Sequence, residues 1–272
     1  MARWARYLTP APEHRRLGLV CLGTGEQSGA VPACRRRVLD CYAAVLLTAG
    51  RGRLEWGEAP TSRELVAPAL FWLVPGVSHA YGPDAAGWTE SWVLFEGAAA
   101  RAYEGLDHIS RSRPVVRLSD PAPVRRAFAR LVDACRQDPP DIDVEAAALT
   151  HQLVVAAHRA RESPTGDVTD EAVLAGLRDD AYQPMSVVAH AARLGVSAAR
   201  LREVVRRGAG CLPNEYLIRV RLSRAKTLLA ESELTVGAIA ARVGYDDPAY
   251  FARLFTRRVG VAPRTFRQQQ RR

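Results

Sequence analysis

Two short stretches of this chain space their arginines as a surface that reads DNA base edges would need them. In the first, Ser197 is followed by Ala199, Arg200, Arg202, Glu203 and Arg206; in the second, Asp247 is followed by Ala249, Tyr250, Arg253 and Arg257. Ser and Asp are strong helix N-caps, and Pro248 suits the first helical position, so each stretch reads as a helix opened by its cap. Leu201 and Val205, and Phe251 and Phe255, then fall four apart on inward faces and leave the polar set outward. A guanidinium can grip guanine O6 and N7, and a carboxylate can accept from cytosine N4. Arg206, Arg207, Arg257 and Arg258 lie further along, where phosphate contacts are expected. A lone exposed arginine is ordinarily a solvated helix face; clustering on two matched helices argues for more.

The matching extends beyond the helices. Ser186-Val187, Ala191, Leu194 and Gly195 recur 49 residues later as Thr235-Val236, Ala240, Val243 and Gly244. Past the turn the offset becomes 50, so Leu201, Val205, Gly210, Pro213 and Tyr216 recur as Phe251, Phe255, Gly260, Pro263 and Phe266. Each copy is a short helix, a tight turn from Gly and a second capped helix, the layout of a helix-turn-helix. The joining segment, roughly Pro213–Ala230, reads as a helix about 27 Å long. Such a strut could set two recognition helices about one DNA turn, ~34 Å, apart.

Charge follows the repeat. From Tyr182 to Arg272 there are 17 basic and 6 acidic residues, against 21 and 23 in the preceding 181. The excess positive charge is confined where phosphate would be met. Of the 38 basic residues only Lys226 is lysine, and with the high alanine content this suggests a GC-rich genome, so arginine rather than lysine at one site means little. The five cysteines, Cys21, Cys34, Cys41, Cys135 and Cys211, form no C-x-x-C pair, so neither a zinc site nor a disulfide framework is expected. With neither a signal-peptide pattern nor an apolar run near ~20 residues, a cytoplasmic protein without a membrane partner is expected.

The N-terminal half is organised differently. Residues 1–17 show no period and read as an irregular arm. From about Leu17 to Leu118, apolar runs such as Cys41–Thr48, Arg53–Trp56, Leu70–Val74 and Ser91–Phe95 are broken by Gly and Pro. Their length and β-branched and aromatic content predict an antiparallel sheet, closing into a small barrel. Helices are expected over Pro121–Gln137 and about Asp143–Glu162, with apolar faces that lack an evident partner in so small a barrel. The polar Ser163-Pro-Thr-Gly-Asp167 run reads as a linker.

The stretches Arg219-x-Arg221-Leu222-x-x-Ala225, Ile239-Ala240-x-x-Val243-Gly244-Tyr245, Tyr250-Phe251-x-Arg253-x-Phe255 and Gly260-Val261-Ala262-Pro263 resemble the AraC/XylS-type transcription regulators over about 182–270. Glu203 and Val205 depart from that pattern, where a basic residue and Phe are usual. Trp72-Leu-Val-Pro75-Gly76 through Tyr81-Gly82, with Trp88-Thr-Glu90-Ser-Trp92, is similar to the sensor barrel of the same family. The resemblance implies an α+β multidomain chain. A cupin-like barrel with two helices (1–162) would sense an effector and dimerise; a linker (163–171) would lead to an all-α double helix-turn-helix (172–272). It also implies double-stranded DNA, a second copy and RNA polymerase as partners, and a small, sugar-like or polar effector as ligand. Ligand-facing positions would fall on Arg35 (with Arg36 and Arg37 one and two steps away), Tyr81, Glu90 and Trp92. Guanidinium, carboxylate, phenol and indole together suit a hydroxylated or acidic molecule. The plainer reading makes Trp88 and Trp92 core and Tyr81 a satisfied turn residue; a barrel serving only dimerisation or partner contact is the alternative function.

Other chemistry finds little support. His79 follows a Pro-x-Gly turn, but the strand Cys41–Thr48 holds no histidine and a metal needs three or four ligands, so a structural histidine is expected. His151 and His158 lie seven apart, too far for a shared i,i+4 metal site, and are expected on a helix surface. No G-x-S-x-G, P-loop or G-x-G-x-x-G motif is present, so neither catalytic residue nor cofactor is expected.

Overall fold

A computed structural model describes residues 3–30, 32–162 and 169–270. The chain divides into two compact units, Met1–Glu162 and Ser163–Arg272. Residues 163–168 of the expected linker lie outside the described residues.

The first unit runs β1 (Arg3–Tyr7), α1 (Pro12–Arg15), β2 (Val20–Gly29), β3 (Cys34–Arg37), β4 (Tyr42–Trp56), β5 (Thr61–Val66), β6 (Ala69–Leu73), β7 (His79–Glu96), α2 (Ala98–Gly105), β8 (Val115–Arg117), α3 (Ala122–Gln137) and α4 (Ile142–Arg159). The strands form one antiparallel eight-stranded sheet ordered β1-β2-β7-β4-β6-β8, with β3 added to β7 and β5 to β4. Strand periodicity divides its side chains between two cores. Tyr42, Ala44, Leu46, Leu70, Trp72, Val93 and Phe95 meet Phe128 and Leu131 of α3 and Leu149 and Leu153 of α4. Ala43, Val45, Leu47, Phe71, Leu73 and Trp88 point to the other face. The expected apolar helix faces are therefore covered by this sheet: Val124, Phe128, Leu131 and Val132 are all buried within the unit.

Three expectations are corrected here. Residues 3–7 are a strand rather than an irregular arm, paired from Arg3↔Gln27 to Tyr7↔Gly23. β1 is a short edge strand whose exposed alternate positions are Arg3, Ala5 and Tyr7, so it lacks the apolar run that would reveal it; Trp4 is covered by the Arg136 guanidinium, 4.9 Å from the ring centre. The Ala-rich stretch Ala98–Gly105 is helical within a region read as strands. His151 and His158 are not bare surface residues: His151 Nδ1 lies 2.9 Å from the Tyr103 hydroxyl. His158 stacks on His108 at 3.8 Å.

The second unit is helical: α5 (Asp170–Asp179), a 3-10 turn (Asp180–Tyr182), α6 (Val187–Arg193), α7 (Ala198–Ala209), α8 (Pro213–Glu231), α9 (Val236–Arg242), α10 (Pro248–Val259) and α11 (Pro263–Gln270). The start of each repeat helix follows from its cap: Ser186, Ser197, Thr235 and Asp247 each accept a hydrogen bond from a backbone N–H in the first turn. Two cores result. Leu201, Val204, Val205 and Leu217 centre one, and Ile239, Leu254, Phe251, Phe255 and Leu222 the other, so α8 serves both. Arg221 of α8 then joins the halves. Its guanidinium donates to the carbonyls of Ala181 (2.6 Å), Gln183 (2.8 Å) and Gly244 (3.1 Å) and covers the Tyr245 ring. Gly244 sits at φ +82°, and a Cβ there would lie 2.5 Å from the Tyr182 carbonyl, so only glycine permits this approach. Among the described residues, no helix is long and apolar enough to cross a membrane.

Candidate DNA interface and effector pocket

The residues expected to face DNA occupy the first turns and outward faces of α7 and α10. The Ser197 hydroxyl accepts from Arg200 N–H at 3.1 Å, and the Asp247 carboxylate from Ala249 N–H at 2.8 Å. Ala199, Arg202, Glu203 and Arg206 are exposed on α7, and Ala249, Tyr250, Arg253 and Arg257 on α10. The two helices differ in how free these side chains are. Arg200 is half-buried and donates to Asp170 of α5. Glu203 lies 3.1 Å from Arg207 and 4.0 Å from Arg206. On α10, Arg253 approaches Asp247 only to 3.9 Å, and both stay largely exposed. Arg258 is held in a two-bond fork by Glu215 of α8, at 3.0 and 2.7 Å. It therefore anchors α10, a role its sequence position did not suggest.

In the first unit, Arg35, Tyr81, Glu90 and Trp92 line one cavity of about 540 Å³. Register explains two of them: Glu90 and Trp92 alternate with Trp88 on one face of β7 while Val93 and Phe95 point the other way. Glu90 is 1% exposed. One of its oxygens accepts from Gln27, its cross-strand neighbour, and the other has no hydrogen-bond partner. Burial pushes its carboxyl up to about 7, against smaller opposing pulls from Gln27, Arg37 and Trp88. Burial also pushes the Tyr81 phenol up, and its ring stacks on Trp88 at 6.1 Å. Trp92 lies across Gly25, where a Cβ would fall 2.6 Å from the indole, and 5.6 Å from the Tyr7 ring.

Arg35, Arg36 and Arg37 all line this cavity. Arg37 is close enough to favour the charged forms of both Tyr81 and Glu90. Arg36 is engaged by Ser78 (2.8 Å) and by the Gly57 and Glu58 carbonyls. Gln27 and Tyr7 line the cavity without having been singled out from the sequence, and Trp88, read as core, is buried in the sheet's second core and lines the cavity as well. The two-residue period from Glu90 could have placed Trp88 there, but nothing in the local sequence marks Gln27 or Tyr7. His79 is buried with Nδ1 3.0 Å from the Val77 carbonyl; burial lowers its pKa. Among the described residues there is no cluster of metal-ligating side chains.

Comparison with known proteins assigns both units. The model of an AraC-like ligand binding domain matches residues 24–154, and that of a helix-turn-helix domain matches residues 190–269. The HTH-type transcriptional activator RhaR of Cronobacter sakazakii is 32% identical over 130 residues, 46% of each chain. That of Yersinia pseudotuberculosis is 34% identical over 124 residues, 43% of this chain and 42% of its own. The match thus spans less than half the length of these curated relatives. The DNA-binding domain of AdpA, solved in complex with a target DNA, is 27% identical with a TM-score of 0.36, covering 39% of this chain and 95% of that one. With an AraC-like ligand-binding domain followed by a helix-turn-helix domain, the chain belongs to the AraC family.

Proposed function

We propose that this protein is a sequence-specific, DNA-binding transcription regulator whose N-terminal unit takes a small polar effector. The observation that carries the reading is the pair of capped helices α7 and α10, repeated in one chain and presenting Arg202, Arg206, Arg253 and Arg257 to solvent. Arg253 and Tyr250, near the start of α10, read bases; Arg206 and Arg257, further along, meet phosphates. The relatives are named transcriptional activators, which supports regulation rather than catalysis. If six to ten phosphates are contacted, affinity for duplex DNA falls by roughly 10³–10⁵ between 50 and 200 mM salt. Salt-independent binding overturns the reading.

The effector binds in the 540 Å³ cavity, where the unpartnered oxygen of Glu90, the Arg37 guanidinium and the Tyr81 phenol offer hydrogen bonds beside the Trp92 indole. That combination suits a hydroxylated or acidic small molecule. Saturating effector at 100 times its Kd adds about 2.7 kcal/mol to stability, read as a rise in Tm. The regulator works as a homodimer. With the buried α3 and α4 faces turned to the sheet, the surface available to a second copy includes Val144 of α4, 42% exposed, and the exposed Ala148 one turn on. A monomer in sedimentation at micromolar concentration, with and without DNA, contradicts this part.

A further inference from the structure

The face of α7 that carries Arg200, Glu203 and Arg207 is not open like the matching face of α10. Those three residues, spaced i, i+3 and i+7, share one side of the helix. Both guanidiniums converge on a single carboxylate of the neighbouring helix: Arg200 on Oδ1 of Asp170 and Arg207 on Oδ2 at 3.7 Å. Glu203, between them, adds a second carboxylate to Arg207 at 3.1 Å. The homologous positions on α10 are Tyr250, Arg253 and Arg257, all exposed. A carboxylate held by two guanidiniums through separate oxygens presents them with what a DNA phosphate would present.

We propose that Asp170 is an intramolecular stand-in for a DNA phosphate, restraining Arg200 and Arg207 so that DNA must displace it before the first helix-turn-helix engages fully. Asp170 is then a positioning residue that sets the first helix-turn-helix's contribution to backbone affinity and leaves the second helix-turn-helix to lead recognition. The inference rests on the DNA-binding reading above.

The test compares full-length wild type, Asp170→Asn and Glu171→Gln on a random-sequence duplex across salt concentrations. Glu171 is the adjacent exposed carboxylate, so its variant reports the effect of net charge alone. The partly exposed Arg200 ion pair released in Asp170→Asn should tighten binding by up to about fivefold. The slope of log affinity against log salt should steepen by about 1, one ~0.9 step for Arg200 reaching a phosphate while Glu203 keeps hold of Arg207. Arg200→Gln should then weaken binding more in the Asp170→Asn background than in wild type. Equal effects of Asp170→Asn and Glu171→Gln, or an additive Arg200→Gln effect, overturn the proposal. So does an unchanged slope with a lowered Tm, because the pair then only holds α5 to α7. Failure of wild type to bind duplex DNA instead rejects the underlying reading.

Discussion

Replacing His190 with isoleucine should stabilise the first helix-turn-helix and remove its sensitivity to acid. His190 is fully buried in α6, and neither ring nitrogen has a hydrogen-bond partner. A neutral imidazole carries one donor and one acceptor, and a buried polar group left unpaired costs about 1–3 kcal/mol. The repeat shows what the slot accepts: 49 residues on, the same position is Ile239, also fully buried. His190→Ile should therefore gain about 1–3 kcal/mol at neutral pH, each kcal/mol raising the midpoint by about 4–8 °C in a unit of this size. Burial lowers the His190 pKa from 6.5; Arg221 and Arg193 push the same way and Asp180 opposes them. A histidine with a depressed folded pKa leaves the fold at full stability above about pH 6.5, and stability is lost as pH falls below it. One such group changes stability by at most about 1.4 kcal/mol per pH unit. All five tryptophans lie in the N-terminal unit, so their fluorescence reports that unit, and amide exchange in α6 and α7 must report the other. Exchange in α7 should slow in the variant and lose its acceleration between pH 6.5 and 5. If stability and acid response match wild type, His190 is satisfied in the fold and the reasoning fails.

Arg253→Ala should cost about 1–3 kcal/mol on the cognate site and relax one base position, while Arg257→Ala should weaken cognate and random DNA about equally in parallel titrations. Arg221→Leu strips the donor from three carbonyls and should cost about 3 kcal/mol or more, with faster amide exchange in α9 and weaker DNA binding as the two helix-turn-helix halves lose their fixed spacing. Glu90 titrates in the opposite sense to His190. Its folded carboxyl is raised to about 7 from 4.5, so its stabilising effect is complete below pH 4.5 and is lost as pH rises to 7. Glu90→Gln should flatten tryptophan-monitored stability across that window; an unchanged profile shows that Glu90 is solvated.

The second unit was legible because its determinants are local. Caps at Ser197 and Asp247, the turn glycines and the four-residue spacing of Phe251 and Phe255 all lie within a dozen residues of what they specify. Partnership was not legible. That Asp170 would hold Arg200, or Glu215 hold Arg258, depends on how helices pack, and an exposed arginine reads the same whether free or paired. In the first unit, alternation gave the strands, but β1 is short and charged and is defined by its pairing to β2. Arg35, Arg36 and Arg37 could not be told apart by spacing alone. The turn of β3 onto Tyr81 and the claim of Ser78 on Arg36 separate them.

The central claim, that two matched helices read DNA from one chain, is met most directly by selecting bound sequences from a random duplex pool with the full-length protein. The account predicts one enriched site with two elements about one helical turn, ~10 base pairs, apart, and loss of preference at a single position when the pool is reselected with Arg253→Ala. Recovery of no enriched sequence, or of one that Arg253→Ala leaves unchanged, contradicts it.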